Sequence, residues 1–297
     1  MLPKLEMFIA LAREQHFGRA ADSLGITQPT LSAGLKQLEE SLGVQLVRRG
    51  SRFGGLTPEG QRALVWARRI VGDAGRLREE MRAARAGLAG HLRLAVIPTA
   101  LTRASALAAA YAARHPNVAF TILSRNSGEI LAMLENFEAD AGLSYLDNEP
   151  LGRVTTVPLY RERYAALCPP DHPLAGRSEI GWGDLGGVRL CLLTPDMQNR
   201  RIINRAFMEA GVQPTARMES NSTVVLASHV ASGGWVTVLP REVAGFLAEG
   251  RGLAVVPIRD ATSLSGDGPT VGLVVPHQDV HTPVLQALID EAGAELR

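Results

Sequence analysis

Two short helical segments separated by a glycine occupy residues 16–49, and they limit the possible folds more than any other part of the sequence. The pair Ala20 and Ala21 lets two helices cross closely, and Gly25 supplies a turn after the first helix. A second helix is predicted over about residues 28–42. Its leucines recur at spacings of four, three and four residues, which predicts one buried stripe formed by Leu31, Leu35, Leu38 and Leu42.

The remaining faces of this second helix carry short hydrogen-bonding groups at its start and a cation further along. A helix that binds in the major groove of DNA places its N-terminal residues at base edges and packs its stem on the preceding helix. Gln28 and Thr30 are the favoured base readers, because Gln can pair with adenine and Thr can contact a thymine methyl. Thr27 or Gln28 can alternatively be a cap of the helix. The predicted DNA contacts are Thr27, Gln28, Pro29, Thr30, Ser32 and Lys36.

A glycine-rich basic tip follows this helix. Residues 45–48 are predicted as a short strand, residues 50–55 as the tip, and Leu56 as the return toward the core. Two short strands around such a tip form a wing that can lie against the phosphate backbone or in the minor groove. The predicted phosphate contacts are Arg48, Arg49 and Arg52.

A long helix is predicted directly after the wing. Thr57 can cap its start, Pro58 suits the first helical position, and Glu59 complements the positive end of the helix dipole. An apolar seam with arginines on the other faces favours a helix–helix contact between two copies of the chain. The alternative is packing of this helix on its own domain. The helix is predicted to run to about residue 88, and its seam comprises Leu64, Ala67, Val71, Ala74, Leu77, Met81, Ala84 and Leu88.

The charge of the chain is divided unequally between its two parts. The first 90 positions hold 14 basic and 9 acidic residues, whereas the remaining positions hold 17 basic and 21 acidic residues. A basic front and an acidic rear fit a DNA-binding head on a body that does not contact DNA.

The two cysteines, Cys168 and Cys191, exclude a disulfide framework, and two thiols alone make no zinc site. We therefore expect no metal and no cofactor. Both cysteines fall in predicted strands, where a free cysteine is usually a small buried apolar residue. Glu6, Arg13 and Glu14 interrupt the N-terminal apolar pattern, unlike in a signal peptide, and no stretch approaches the roughly 18 apolar residues of a membrane span. These features predict a cytoplasmic protein.

From residue 91 onward, segments typical of strands alternate with segments typical of helices, which predicts parallel, buried sheets. Ligands of such sheets bind beyond the carboxyl ends of strands, near helix N-termini. Hydroxyl and backbone N–H groups there suit a small anion such as a carboxylate, and Arg200 can add a charged donor, although each hydroxyl alone can be a simple helix cap. The candidate ligand residues at these positions are Thr99, Ala100, Asn126, Ser127, Thr194, Arg200 and Asn221. Their convergence on one cleft is implied only by the family resemblance that follows.

The chain resembles LysR-type transcriptional regulators over its full length. The motif-bearing part begins with the pattern A-A-x-x-L-x-x-x-Q-P-x-x-S at residues 20–32. It continues with L-x-x-L-E-x-x-L-G-x-x-L-x-x-R at residues 35–49 and ends with L-T-P-x-G at residues 56–60. Gly18 and Val47 depart mildly from the family, which often has serine and phenylalanine at these positions.

This resemblance implies a multidomain chain of the α+β and α/β classes. It would have an N-terminal winged helix-turn-helix over 1–57, a long linker helix over 58–89, and a periplasmic-binding-protein-like effector domain over 90–297. The effector domain would consist of two α/β subdomains, the first about 90–161 with 267–297 and the second about 162–266, with a ligand cleft between them. The linker helix would form a homodimer, and two dimers would form a homotetramer.

The resemblance also implies a sequence-specific transcriptional regulator that binds double-stranded promoter or operator DNA, has no catalytic residues and is controlled by a small-molecule effector. Residues 92–101 resemble, more weakly, regulators of formate dehydrogenase operons, which suggests a formate-related or other small carboxylate. Peroxide-sensing relatives carry a reactive cysteine near the helix start that here is Met197-Gln198-Asn199, which argues against thiol sensing.

Two other classes of protein were weighed against this interpretation. A ligand-binding protein of the periplasmic type without a DNA role would suit residues 91–297 alone, but not the head at 1–57 or the missing signal peptide. An enzyme is disfavoured because the sequence has no nucleophile elbow, phosphate loop or zincin pattern.

Overall fold

The computed structural model describes residues 1–48, 53–147, 151–259, 268–278 and 280–294. The chain divides into two compact units, Met1–Gly87 and Leu88–Arg297. Within the described residues, no helix combines the length and the apolar character needed to cross a membrane.

The N-terminal unit is built from helices that pack around one apolar core. Its helices are α1 (Leu2–Glu14), α2 (Phe17–Ser23), α3 (Gln28–Leu42) and α4 (Pro58–Ala86). Ala20 and Ala21 are fully buried where the helices meet, and Gly25 adopts a φ of 65° in the turn between α2 and α3, which glycine adopts without strain. Leu31, Leu35 and Leu38 are buried as predicted. The prediction for Leu42 was wrong: its side chain is 43% exposed, because it lies in the last turn of α3, just before Gly43 ends the helix.

Two glycines permit close contacts inside this unit. A Cβ on Gly34 of α3 would overlap the Met7 sulfur of α1, so the glycine lets these two helices approach closely. A Cβ on Gly60 of α4 would overlap the main-chain carbonyl oxygen of Leu46. The glycine inside α3 therefore has a packing role that offsets its low helix propensity.

The wing is shorter than predicted within the described residues. Val47 and Leu56 form a single antiparallel bridge, and the Arg48 N–H donates to the Gly55 carbonyl at 3.0 Å. The Glu39 carboxylate of α3 accepts hydrogen bonds from the N–H groups of Leu46, at 2.8 Å, and Val47, at 3.2 Å. This carboxylate holds the base of the wing against α3.

The C-terminal unit consists of two sheet-based lobes. Its strands are β1 (Gly90–Val96), β2 (Val118–Ser124), β3 (Ala141–Tyr145), β4 (Val154–Arg161), β5 (Tyr164–Cys168), β6 (Leu190–Leu193), β7 (Ala216–Ser220), β8 (Thr237–Pro240), β9 (Ala254–Pro257) and β10 (Thr270–Pro276). Its helices are α5 (Leu101–Arg114), α6 (Ser127–Glu135), α7 (Gln198–Glu209), α8 (Thr223–Ala231), α9 (Arg241–Ala248) and α10 (Pro283–Ala294), with short 3-10 helices at Pro98–Ala100 and Trp182–Leu185.

The first lobe contains a five-stranded sheet in the order β2-β1-β3-β10-β4. The second lobe contains the sheet β8-β5-β9 and the pair β6-β7, which a bridge between Leu190 and Val236 connects to the segment preceding β8. The expectation of parallel sheets was wrong in part. The pairs β1–β2, β1–β3 and β6–β7 are parallel, whereas β10 is antiparallel to both of its neighbours and β5 is antiparallel to β8 and β9. Strand β10 brings the chain back into the first lobe and runs opposite to both of its neighbours in the sheet. The alternation of strand and helix segments in the sequence does not indicate this direction.

Two elements were not predicted. Strand β4 contains Pro158, which argues against a central strand, and β4 lies at the edge of its sheet, where proline is tolerated. Helix α9 has only 8 residues and contains Gly245, so its apolar pattern is too short to indicate a helix by itself.

The chain crosses between the lobes twice, and the two crossings lie against each other. The Glu162 N–H donates to the Pro269 carbonyl at 2.9 Å. Gly268 has a φ of 78°, and a Cβ there would overlap the Glu162 carbonyl oxygen. The crossing is therefore a tight main-chain contact.

Candidate functional site

The start of α3 presents a polar surface. The Thr27 hydroxyl accepts a hydrogen bond from the Thr30 N–H at 3.4 Å and lies 2.8 Å from the Thr30 hydroxyl, so Thr27 is the cap of this helix. The sequence allowed either Thr27 or Gln28 as the N-terminal cap of α3, and in the structure the cap is Thr27. All of the predicted contact residues on this surface are exposed, namely Thr27, Gln28, Pro29, Thr30, Ser32 and Lys36.

The predicted phosphate contacts are only partly described. Lys36 lies 3.8 Å from Glu40 one turn later, and both side chains are mostly exposed, so this ion pair leaves the ammonium group accessible. Arg48 is exposed at the base of the wing. Arg49 and Arg52 lie outside the described residues.

Helix α4 has two apolar faces, and only one of them packs within the unit. Ala67 is buried, and Leu64 and Val71 pack against the core of the N-terminal unit, so this part of the predicted seam is used by the chain itself. A neighbouring stripe of the same helix carries exposed apolar side chains at spacings of four, seven and four residues. They are Trp66, Ile70, Leu77 and Met81, and Trp66 is 62% exposed.

Three helix starts converge on a small cavity in the C-terminal unit. They are the first turns of the 3-10 helix at Pro98–Ala100, of α6 and of α7. The cavity volume is about 10 Å³, which is room for one water-sized molecule. Its lining consists of Ile97, Pro98, Thr99, Asn126, Ser127, Tyr145, Leu193, Met197, Gln198 and Asn199.

Asn126 connects the two lobes at this cavity. Its side-chain oxygen accepts from the Glu129 N–H at 2.9 Å, and the Glu129 carboxylate accepts from the Asn126 N–H at 3.0 Å, so the pair forms a capping box. The Asn126 amide also donates to the Asp196 carboxylate of the second lobe at 3.3 Å. The start of α6 is thereby fixed and tied to the opposite lobe.

A buried hydrogen-bond network forms one wall of the cavity. The Tyr145 hydroxyl donates to the Glu162 carboxyl group at 2.6 Å and accepts from the Asn199 amide at 2.9 Å. The same amide donates to the Tyr164 hydroxyl at 3.3 Å, and the Thr99 hydroxyl lies 3.2 Å from that of Tyr145. These groups come from both lobes, so the network depends on the position of one lobe relative to the other.

Burial changes the ionisation of this network. Glu162 is 2% exposed, and desolvation raises the pKa of its carboxyl group to about 8, although hydrogen bonds from Tyr145 and Thr99 partly oppose the shift. Desolvation also raises the pKa values of Tyr145 and Tyr164, and the nearby Glu162 raises both further. At neutral pH the network is therefore predominantly uncharged.

Two polar atoms of the lining have no hydrogen-bond partner among the described residues. They are the Ser127 hydroxyl oxygen and the side-chain oxygen of Asn199. Both belong to residues that are more than nine-tenths buried. Because a buried polar atom without a partner is costly, these two atoms mark where a small polar molecule can bind.

The structure brings only part of the candidate ligand site to the cavity. Thr99, Asn126 and Ser127 line it, whereas Ala100, Thr194 and Asn221 do not. Arg200 does not line it either, because its guanidinium donates to the Leu193 carbonyl at 2.6 Å, to Glu219 at 2.8 Å and to Asn204 at 2.9 Å. The suggested role of Arg200 as a donor to the ligand is therefore corrected to a structural one. The sequence analysis did not identify five residues of the site, namely Tyr145, Glu162, Tyr164, Gln198 and Asn199. Gln198 and Asn199 could have been found, because both lie at a helix start that follows a strand.

Both cysteines are buried in strands, as predicted. Desolvation raises the pKa of each thiol to about 11, so neither forms an appreciable amount of thiolate at neutral pH.

Comparison with known protein families covers almost the whole chain. A model described as the LysR substrate binding domain matches residues 85–297. A model described as the bacterial regulatory helix-turn-helix protein of the lysR family matches residues 2–61.

Individual relatives show the same similarity. The chain is 33% identical over 243 residues to a probable hydrogen peroxide-inducible genes activator from Mycobacterium avium, with 80% of this chain and 76% of that protein covered. A full-length OxyR cysteine-to-aspartate variant from Pseudomonas aeruginosa has a TM-score of 0.76 at 28% identity, with 99% of this chain and 97% of that chain covered. An H2O2-bound OxyR cysteine-to-serine variant from Corynebacterium glutamicum has a TM-score of 0.58 at 27% identity, with 99% and 94% covered.

Proposed function

Because the chain belongs to the LysR family of DNA-binding transcriptional regulators, we propose that a very small polar effector controls it by binding in the cavity formed by Thr99, Ser127 and Asn199. The observation that carries this proposal is the pair of partnerless polar atoms, on Ser127 and Asn199, in a buried cavity with room for one water-sized molecule.

DNA recognition is assigned to the exposed start of α3. Gln28, Thr30 and Ser32 are free of the core and lie in the first turns, where a recognition helix contacts base edges. Lys36 and Arg48 bind phosphates. Arg49 and Arg52 are assigned to the same task from the sequence alone.

Assembly is assigned to the exposed apolar face of α4. Trp66, Ile70, Leu77 and Met81 share one face at coiled-coil spacing, and such a stripe is stabilised when it packs against a second helix. This surface supports the proposal that α4 forms a homodimer and that two dimers form a homotetramer.

A small anion is the effector class that the cavity favours best. The N-termini of α6 and α7 both face it, and helix N-termini attract negative charge. No arginine or lysine is part of the lining, so the ligand is held by hydroxyl, amide and backbone N–H groups. Formate is one member of this class, and the three relatives described above give it no specific support.

Hydrogen peroxide is a second candidate. It is the smallest of the candidate effectors, so it requires the least widening of a cavity that has room for one water-sized molecule, and one similar structure is an H2O2-bound OxyR variant. The buried, protonated cysteines of this chain do not suit thiol oxidation. We therefore consider peroxide only as a reversibly bound ligand here.

The test is a thermal-shift titration of the full chain with formate, acetate and hydrogen peroxide. We expect one of these probes to raise the melting temperature, and Ser127→Ala to abolish the shift because it removes the hydroxyl. Ser228→Ala, an exposed serine on α8, is the matched control and should keep the shift. The assignment fails if no probe shifts the melting temperature, or if Ser127→Ala responds like the unaltered protein.

We further propose that the effector holds the two lobes closed. This closure changes the arrangement of the four subunits of the tetramer on DNA. A ligand shifts such an equilibrium only through its different affinities for the two arrangements. Footprinting and DNA-bending measurements with and without the active probe should differ. Identical footprint boundaries and bend angles would overturn this mechanism.

A further inference from the structure

A larger cavity lies inside the first lobe, away from the surfaces where the two lobes meet. Its volume is about 410 Å³, which is within the range for small-molecule sites. It shares no lining residue with the water-sized cavity. The second half of α6, the start of β4 and the end of β10 form its walls, with Leu131, Leu134, Glu135, Arg153, Val154 and Pro276 among the lining residues.

The cavity exists because α6 is narrower than the sheet on which it packs. Helix α6 contacts β1, β3 and β10, and a Cβ on Gly142 of β3 would overlap the side chain of Ile130, so the helix is fixed over the middle of the sheet. A helix with its side chains is about 10–12 Å wide, whereas five strands spaced about 4.8 Å apart span about 19 Å. The sheet therefore extends past α6 to its edge strand β4, and apolar surface remains there.

The walls of this cavity are apolar and are held by main-chain contacts. Leu134 is buried, and the other apolar side chains of the lining are partly buried. Val154 pairs with Pro276 in the sheet, and the His277 N–H donates to the Arg153 carbonyl at 3.2 Å. The segment that enters β4 is thereby tied to the end of β10. An apolar group that enters the cavity gains contact with these walls and leaves water.

Two side chains of opposite charge lie at the rim of the cavity. Glu135 is the last residue of α6, Arg153 directly precedes β4, and both are exposed. Among the residues that the structure describes, neither side chain takes part in an ion pair or a hydrogen bond. The negative end of the α6 dipole lies at Glu135 and also favours a cation there. The rim therefore offers one place for a cation and one place for an anion, beside an apolar interior.

We propose that this cavity binds a free amino acid with a large apolar side chain. The side chain lies against Leu131, Leu134 and Val154, the ammonium group lies at Glu135 and the end of α6, and the carboxylate lies at Arg153. A ligand with only one of the two charges leaves the opposite rim charge without a partner. This assignment is independent of the effector in the water-sized cavity, so either assignment can fail without the other.

Calorimetric titration of the full chain with phenylalanine at pH 7 tests the proposal. Phenylalanine carries both charges at this pH, and we expect a dissociation constant of about 1 mM or tighter. Two related molecules separate the contributions of the charges, because 3-phenylpropanoate lacks the ammonium group and phenethylamine lacks the carboxylate. Each should bind about threefold more weakly or worse, since each loses one partly exposed ion pair.

Two variants at the rim should give opposite patterns with these ligands. Arg153→Gln should weaken phenylalanine binding about threefold or more, without weakening the binding of phenethylamine. Glu135→Gln should likewise weaken phenylalanine binding, without weakening the binding of 3-phenylpropanoate. Arg217→Gln, at an exposed arginine on β7 in the second lobe, is the matched control and should bind all three ligands like the unaltered protein.

A further variant locates the ligand within the chain. Leu131→Trp places a large ring in the cavity and should abolish phenylalanine binding, with circular dichroism used to confirm that the protein is folded. The proposal is overturned if phenylalanine does not bind, if it binds no more tightly than both singly charged molecules, or if its affinity survives Leu131→Trp, which would place it elsewhere in the molecule.

Discussion

The hydroxyl group of Tyr145 donates a 2.6 Å hydrogen bond to the carboxyl group of Glu162 in a place that is closed to solvent. Tyr145 ends β3, and Glu162 lies at the crossing between the lobes. Glu162 lines a cavity of about 260 Å³ beside the crossing, and Tyr145 lines the water-sized cavity. This one hydrogen bond therefore connects the walls of the two cavities.

The raised pKa of Glu162 predicts how stability depends on pH. Because the pKa is about 8 in the folded chain against 4.5 in the unfolded chain, the folded state binds the proton more tightly. The stabilisation is complete below about pH 4.5 and is lost as the pH rises through about 8, at no more than about 1.4 kcal/mol per pH unit. Glu162→Gln removes this dependence, so its stability relative to the unaltered protein should increase steadily from pH 5 to pH 8.5.

Urea unfolding in a Trp66→Phe background measures this effect, because the two remaining tryptophans, Trp182 and Trp235, both lie in the C-terminal unit. Glu135→Gln, at an exposed position, serves as the control and should preserve the pH dependence. An unchanged pH profile in Glu162→Gln would show that this carboxyl group does not titrate as described.

Two glycines of α4 should respond to alanine in opposite directions. Gly60→Ala should destabilise the N-terminal unit by about 1–3 kcal/mol, because its Cβ meets the Leu46 main chain, which cannot rotate away. Gly75→Ala meets no atom within 4 Å and should stabilise the helix by about 0.5–1 kcal/mol. Thermal unfolding of both variants measures this difference, and equal effects would contradict the close packing at Gly60.

Substitutions on α3 should separate base recognition from phosphate binding. Gln28→Ala should cost about 1–3 kcal/mol on the preferred operator and relax the preference at one base pair. Lys36→Ala should weaken binding to all sequences alike and reduce the salt dependence by about one phosphate contact. Binding titrations at several salt concentrations, on specific and random DNA, provide the measurement. Both roles fail if the two variants lose affinity in the same way on both DNAs.

The exposed face of α4 should control assembly. Trp66→Glu with Ile70→Glu introduces two charges into the apolar stripe, and we expect sedimentation to detect smaller species at concentrations where the unaltered chain is associated. Gln61→Glu, at an exposed position on the same helix, should leave the sedimentation unchanged. If the double variant sediments like the unaltered chain, the assembly contact lies elsewhere.

The two thiols should be unreactive in the folded protein. Their pKa values of about 11 leave little thiolate at pH 7.5, so iodoacetamide should alkylate Cys168 and Cys191 much more slowly than it alkylates the unfolded chain. Mass spectrometry follows the modification. Serine variants of both cysteines should retain the response to the effector, and loss of that response would point to thiol chemistry.

The parts of this structure that follow from local patterns were predicted well. The capped start of α3 and its buried leucines depend on residues close together in the sequence. Thr99, Asn126 and Ser127 each lie between a strand and a helix, as the local pattern predicted, and all three line the small cavity. Their convergence was implied by the family resemblance, and their role in binding a ligand stays a prediction.

The parts that depend on distant residues were not predictable in this way. Tyr145, Glu162 and Asn199 meet only because two lobes fold against each other, and no spacing in the sequence indicates the contact. The role of Arg200 depended on Glu219, which lies on the neighbouring strand β7. Strand β10 was predicted, but its antiparallel direction was not, because this direction follows from the return of the chain to the first lobe and the periodicity of the sequence does not encode it.

The contact between Glu162 and Pro269 has a consequence for the origin of this architecture. The second lobe starts and finishes at one main-chain hydrogen bond of 2.9 Å, so its two ends are as close as the ends of a domain inserted into another. The five-stranded sheet of the first lobe is interrupted in the sequence after β4 and resumes at β10, which pairs directly with it. The C-terminal unit therefore has the topology of a host domain, the first lobe, into which the second lobe is inserted between β4 and β10.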